Sequence, residues 1–255
     1  MAHRILGQST PALRRAREME PTIRRPGIGL WAAWVAANVL GILAALGLSA
    51  AAVWAITAIV LGADEVRLPE RLIALLAVVA VGTTLTALAV GVAQWRVLRR
   101  VFWLMNRGEW LAATAVAYGL VWLLGAIPAA IGAVLQETEL GESITLPDLS
   151  KVPALWLGAA LGIVAGAVIG TVQRVVLKRS TQGARWWVPA HIIGWSLGLM
   201  VASMARGALA AGKPLMETSP LVVGQLALAA AIVAAVNGFV LVWLARRRAE
   251  AAFYQ

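Results

Sequence analysis

The sequence predicts an all-α membrane protein: six transmembrane helices, paired as three repeated helical hairpins, with both termini on the cytoplasmic side. Three observations predict it. Of 255 residues, 61% are hydrophobic and only 13% are charged, whereas a soluble domain carries about a quarter charged residues, so a water-soluble fold is excluded. The apolar residues gather into six stretches, each reaching the ~20 residues a helix needs to cross hydrocarbon. The charges between those stretches are unequally shared, and that asymmetry sets the orientation.

A threefold internal repeat organises the stretches, and repeats at fixed spacing define architecture. Each unit opens on a tryptophan (Trp31, Trp110, Trp187) and closes on a glycine with two basic residues about two turns later. The closing segments are GVAQWRVLRR from Gly91, GTVQRVVLKR from Gly170 and GFVLVWLARR from Gly238. The first two units have equal length and the third has a shortened middle. This divides the chain into a cytoplasmic basic tail (1–29), hairpins over 30–109, 110–186 and 187–248, and a C-terminal cytoplasmic tail (249–255).

In the tail, Thr10-Pro11 followed by ALRRAREME reads as a capped short helix with proline at its first position, lying on an anionic membrane surface. No apolar core occupies the first 25 residues, so the segment is not a secretory signal. The first span, 30–62, is long enough to require tilt or an interfacial start. Pro69, Pro153 and Pro220 each begin the second helix of a hairpin (70–98, 153–177, 220–245), where a missing amide costs nothing. The opening helices of the second and third hairpins fall at 110–136 and 187–211. Outer loops are short except the acidic 137–152, which would cap the bundle or meet a partner.

The net charge of +10 belongs to this topology rather than to nucleic-acid binding. With the N-terminus inside, seventeen of the 22 basic residues fall on the cytoplasmic side with four acids (Glu18, Glu20, Glu109, Glu250). The opposite side receives Arg67, Arg71, Lys151 and Lys213 against eight acids. Trp31, Trp34, Trp95, Trp103, Trp110, Trp186, Trp187 and Trp243 cluster near cytoplasmic helix ends and read as an aromatic belt.

Burial from water cannot drive helix association in lipid, so backbones must approach closely. Small residues every fourth position supply that face. Gly158, Gly162, Gly166 and Gly170 stripe the fourth span, and Ala190, Gly194, Gly198 and Ala202 the fifth. The first carries Ala33, Ala37, Gly41 and Ala45, the sixth Ala230, Ala234 and Gly238. The stripes predict tight crossings, with spans four and five central; lining a pore or seating a flat cofactor is the alternative.

No aspartate or glutamate lies in the middle of a span, which removes the carboxylates that proton and cation coupling use. Zero cysteines remove disulfides and thiolate sites, and His3 and His191 are the only histidines. No catalytic residue and no metal site is assigned, and the chain is read as non-enzymatic. A layer of polar side chains remains in the cytoplasmic third: Asn38, Gln94, Thr114, Gln173, His191 and Asn237. They form either a shared site about a pseudo-threefold axis or interhelical hydrogen-bond glue. His191, beside Gly194 and Gly198, is the one candidate pigment or haem ligand, through a neutral imidazole; the alternative is a packed, hydrogen-bonded histidine. Arg206 snorkels to the outer interface or binds an anion there.

The motif G-x-x-Q-x-x-V-L-[RK]-R, followed by RWWVPAHIIGWSLG, resembles a group of multi-span membrane proteins of cyanobacteria and filamentous phototrophic bacteria. The likeness covers roughly residues 85–200. It implies a bacterial inner membrane and transfers no activity. Together these features make the expected function that of a non-catalytic accessory or structural subunit of a larger photosynthetic or respiratory membrane complex. Its partners would be the bilayer, other membrane subunits and bound lipid or pigment, with no nucleic acid. The alternative is an autonomous transporter or channel for a neutral or anionic small molecule. A weaker third reading is a lipid- or quinone-handling enzyme using His191.

Overall fold

The computed structural model describes residues 26–61, 67–103, 105–137, 152–204 and 215–253. Among these residues the chain is helical, with no strand. Six helices follow one another: α1 (Ile28–Leu61), α2 (Leu68–Leu98), α3 (Arg107–Glu137), α4 (Ala154–Leu177), α5 (Trp187–Ser203) and α6 (Leu215–Phe253). Five of them, α1 to α4 and α6, are long and apolar enough to cross a membrane. The described part of α5 has 17 residues, and the remainder of its expected span, with Arg206, lies outside the described residues. So do the tail helix, His3 and nearly all of the acidic loop 137–152.

Local chemistry explains most boundaries. At the start of α2 the Arg67 amide donates to the Glu70 carboxylate at 3.0 Å, and Pro69 sits in the first turn, where no amide is needed. Pro153 is the residue before α4 rather than its first residue. Pro220 does not begin α6: the helix starts at Leu215 and carries Pro220 inside it. A proline near a helix start removes only one early hydrogen bond, so the preceding residues can still coil. At its other end α6 runs on to Phe253, so part of the expected C-terminal tail is helix. Pro128 likewise lies inside α3.

Each helix packs against its neighbours in sequence, and α6 returns to α1, closing a ring. The α4–α5 contact is the most extensive. Neither helix is central, because each packs mainly between its two neighbours along the ring. The Trp31 indole donates to the Ala235 carbonyl at 3.1 Å and Arg246 Nε to the Pro26 carbonyl at 2.7 Å, which secures the α1–α6 seam.

The core has two parts. At the basic end, Trp34, Leu98, Phe102, Trp110, Leu177, Trp187 and Leu244 pack into one cluster that closes the ring. Nearer the middle, Ala45, Val90, Ala117, Tyr118 and Ile169 form a second. Trp34, Trp110 and Trp187 are 0% exposed, which corrects the reading of these three as belt residues. An indole placed at the seam of three helix pairs gains more by filling that volume than by facing headgroups. The outward-facing tryptophans are Trp103 and Trp186 at the basic end and Trp54 and Trp156 at the other.

Candidate functional site

The six polar residues of the sequence layer, Asn38, Gln94, Thr114, Gln173, His191 and Asn237, are all buried. The structure joins most of them into a chain that crosses the ring. Asn38 Nδ2 donates to the Trp34 carbonyl at 2.8 Å, and Gln94 Nε2 donates to Asn38 Oδ1 at 2.8 Å. Gln173 Nε2 donates to Gln94 Oε1 at 3.3 Å, and the Trp187 indole donates to Gln173 Oε1 at 3.1 Å. The chain thus links α1, α2, α4 and α5.

His191 extends it to α6. Its Nδ1 lies 3.0 Å from the Trp187 carbonyl, a pure acceptor, so Nδ1 carries the hydrogen. Nε2 then receives Asn237 Nδ2 at 3.4 Å. The imidazole nitrogen that would ligate a pigment iron or magnesium therefore faces Asn237. Thr114 stands apart, its hydroxyl donating to the Trp110 carbonyl of its own helix at 2.9 Å. Among the described residues no cluster of three or more histidine, cysteine or acidic side chains converges.

One local pattern recurs three times. Asn38, Thr114 and His191 each bond the carbonyl of a buried tryptophan four residues earlier: Trp34, Trp110 and Trp187. The matching segments are WVAAN, WLAAT and WVPAH. Trp34, not Trp31, therefore holds the place of Trp110 and Trp187. Trp31 is half-buried on the α1–α6 seam, its ring 5.6 Å from that of Phe239. The pattern was readable in the sequence, but Trp31 stands at the same distance from Gly91 as Trp110 from Gly170 and masked it.

One turn from the polar layer lies a cavity of about 210 Å³ at the middle of the ring. Its wall repeats the same register. Ile42, Ala45 and Leu46 come from α1, Tyr118, Val121 and Trp122 from α3, and Trp195, Gly198, Leu199 and Ala202 from α5. Thr86 and Val90 of α2 and Leu226, Ala229, Ala230 and Val233 of α6 complete it. Thr86 closes its hydroxyl on the Gly82 carbonyl at 2.7 Å, and Tyr118 stacks edge-on to Trp195 with ring centroids 6.1 Å apart. The wall is accordingly apolar and aromatic. His191 and the glutamines lie outside it.

Two backbone features set this geometry. Between Thr86 and Val92, α2 widens into a π-turn, Ala87–Gly91, a form found most often as a single bulge inside an α-helix and frequently at functional sites. Gly41 admits it: a Cβ there would lie 3.1 Å from the Val90 Cα and 3.2 Å from the Ala89 carbonyl oxygen. Nothing in the hydrophobic pattern announces the bulge.

The second is the α4–α5 crossing. A Cβ at Gly158 would lie 2.5 Å from the Leu199 carbonyl oxygen, and one at Gly170 2.9 Å from the Val188 Cα. At Gly162 and Gly166 it would collide with the carbonyl oxygens of Trp195 and His191. Gly194 and Gly198 face α6, where a Cβ would meet the Val233 carbonyl oxygen at 3.2 Å and the Val233 side chain at 2.5 Å. These glycines hold α5, and with it Trp187 and His191, against both neighbours.

No protein-family model, no curated protein and no solved structure matches the chain. Function therefore rests on this geometry alone.

Proposed function

We propose that the chain is a non-catalytic, integral-membrane structural subunit of a larger bacterial inner-membrane complex, with both termini cytoplasmic. The observation that carries this reading is the hydrogen-bonded chain from Asn38 through Gln94 and Gln173 to Trp187. Its polar atoms satisfy one another between helices, each contact contributing about 0.6 kcal/mol, as a clamp would. The outer surface supports it too: Leu76, Leu161, Ile163 and Phe239 are exposed on three different helices, suited to lipid or to neighbouring apolar helices. We read the Trp34, Trp110 and Trp187 units as three copies of one hairpin.

Native electrophoresis with mass spectrometry, on the protein drawn in mild detergent from its own membranes, tests the reading. Co-migration with a fixed set of other polypeptides is the expected result. Migration alone, as a monomer or small homo-oligomer, overturns it.

A second reading, a carrier for a small neutral molecule, draws on the cavity at the centre of the ring. It expects uptake or efflux in vesicles to disappear in an Ala45→Leu variant that still folds, because Ala45 lines that cavity and a larger side chain there occupies it.

A further inference from the structure

The basic end of the bundle carries a cleft unrelated to the central cavity. It occupies about 560 Å³ where the turn after α4 meets the last turns of α6. Lys178, Arg179, Ser180 and Thr181 line one side, Arg247 and Arg248 the other, with Glu250 as the acid on its wall.

The turn reaches α6 because of one glycine. Gly183 has φ 85°, the left-handed region that favours glycine, and a Cβ there would stand 3.1 Å from the Trp243 ring. With only hydrogen at that position the turn rests on Trp243. That contact sets the Lys178–Thr181 segment beside Arg247 and Arg248.

Three of the four cations are braced. The Arg247 guanidinium lies 4.3 Å from the centre of the Trp243 ring. Arg248 lies 5.5 Å from that of Phe102, and its Nη1 donates to the Val101 carbonyl at 3.2 Å. Arg179 pairs with Glu109 at 2.8 Å. Among the described residues, Lys178 and Arg247 meet no carboxylate within salt-bridge distance. A stacked guanidinium has already lost much of its rotamer freedom, so it surrenders little more on gripping an anion. Guanidinium forks, an ammonium and the Ser180 hydroxyl are donors a phosphate takes, Thr181 giving its own hydrogen to the Gln182 carbonyl at 3.1 Å, and basic pockets between transmembrane helices hold anionic headgroups.

We propose that this cleft binds a phosphate group, supplied by the headgroup of an anionic phospholipid. The test uses the full chain in mild detergent, with cardiolipin, phosphatidylcholine and inorganic phosphate as probes, read by native mass spectrometry and by thermal stability. Wild type is expected to retain cardiolipin over phosphatidylcholine. Lys178→Gln/Arg247→Gln weakens cardiolipin binding by about tenfold or more, with its lipid-free circular dichroism unchanged. Arg99→Gln/Arg100→Gln, which removes the same charge elsewhere on that face, leaves binding within about twofold. Should the double variant fail to fold, Lys178→Gln alone, at an exposed side chain, gives the same comparison with a smaller loss.

Equal losses in the two double variants would mean diffuse attraction and overturn the site. So would a wild type that binds neither cardiolipin nor phosphate more tightly than the Lys178→Gln/Arg247→Gln variant. If millimolar phosphate displaces the lipid where chloride of equal ionic strength does not, the phosphate itself is the recognised group. Lipid binding that needs Lys178 and Arg247 but resists free phosphate assigns the site to the intact headgroup.

Discussion

A Cβ built at Gly166 would collide with the His191 carbonyl oxygen, whereas at Gly125 and Gly224 it meets nothing within 4 Å. The same substitution should therefore have opposite outcomes. Gly166→Ala forces α4 and α5 apart and is expected to cost about 1–3 kcal/mol, the range of core overpacking. Gly125→Ala relieves the helix of a flexible residue and should be neutral or stabilising by up to about 1 kcal/mol. Thermal unfolding in detergent separates them, and equal melting temperatures would show that the α4–α5 contact is looser than described.

The polar chain gives a second prediction at this scale. Gln94→Leu strands both Asn38 Oδ1 and Gln173 Nε2, so it should cost more than the ~0.6 kcal/mol of one intramembrane bond. Gln173→Leu strands Gln94 Oε1 and the Trp187 indole, and the double variant should cost less than the sum of the two. Additive costs in that cycle would mean that the glutamines do not meet. Residue identity in the layer was legible, since an amide inside an apolar run stands out; which amide meets which depends on helix rotation, and no local pattern encodes that.

Helices were the most legible level, because six apolar runs of membrane length leave little else to form. Five begin within three residues of their expected starts; α6 begins five residues early, through Pro220. The π-turn of α2 was not legible, since it changes no residue's polarity. It amounts to one residue more than an α-helix needs over that stretch, with Leu88 exposed within it. Deleting Leu88 should convert the turn to ordinary α-helix and keep Gln94 facing Asn38. Deleting Leu76, equally apolar and exposed, lies outside the bulge and rotates one flank by about 100° against the other. We expect the first deletion to retain most of the wild-type melting temperature and the second to abolish folding. Two equally damaging deletions would show that the π-turn does not absorb the extra residue.

At the scale of the molecule, the proposed orientation, with both termini cytoplasmic, rests on charge asymmetry, and the absence of cysteine from the sequence makes it easy to measure. If the chain sits in a bacterial inner membrane as proposed, Gln182→Cys, in the turn after α4, should react with an impermeant maleimide only after that membrane is opened, and Glu142→Cys in intact spheroplasts. The reverse labelling would invert the topology. Ring closure was not legible, for the small residues of α1 and α6 announce close packing without naming the partner. One property of the ring follows from how its members are tied. Four helices are joined through Asn38, Gln94, Gln173 and Trp187, and α6 through Asn237 and the Trp31 indole. Among the described residues α3 has no such tie at that depth: Thr114 bonds its own backbone, and the exposed Glu109–Arg179 pair sits at the helix end. At the depth of the polar layer, parting α3 from its neighbours breaks no buried side-chain bond, while parting any other member does. The ring is thus mechanically anisotropic, and its most yielding direction is sideways, toward the bilayer, along the helix that carries Tyr118 and Trp122.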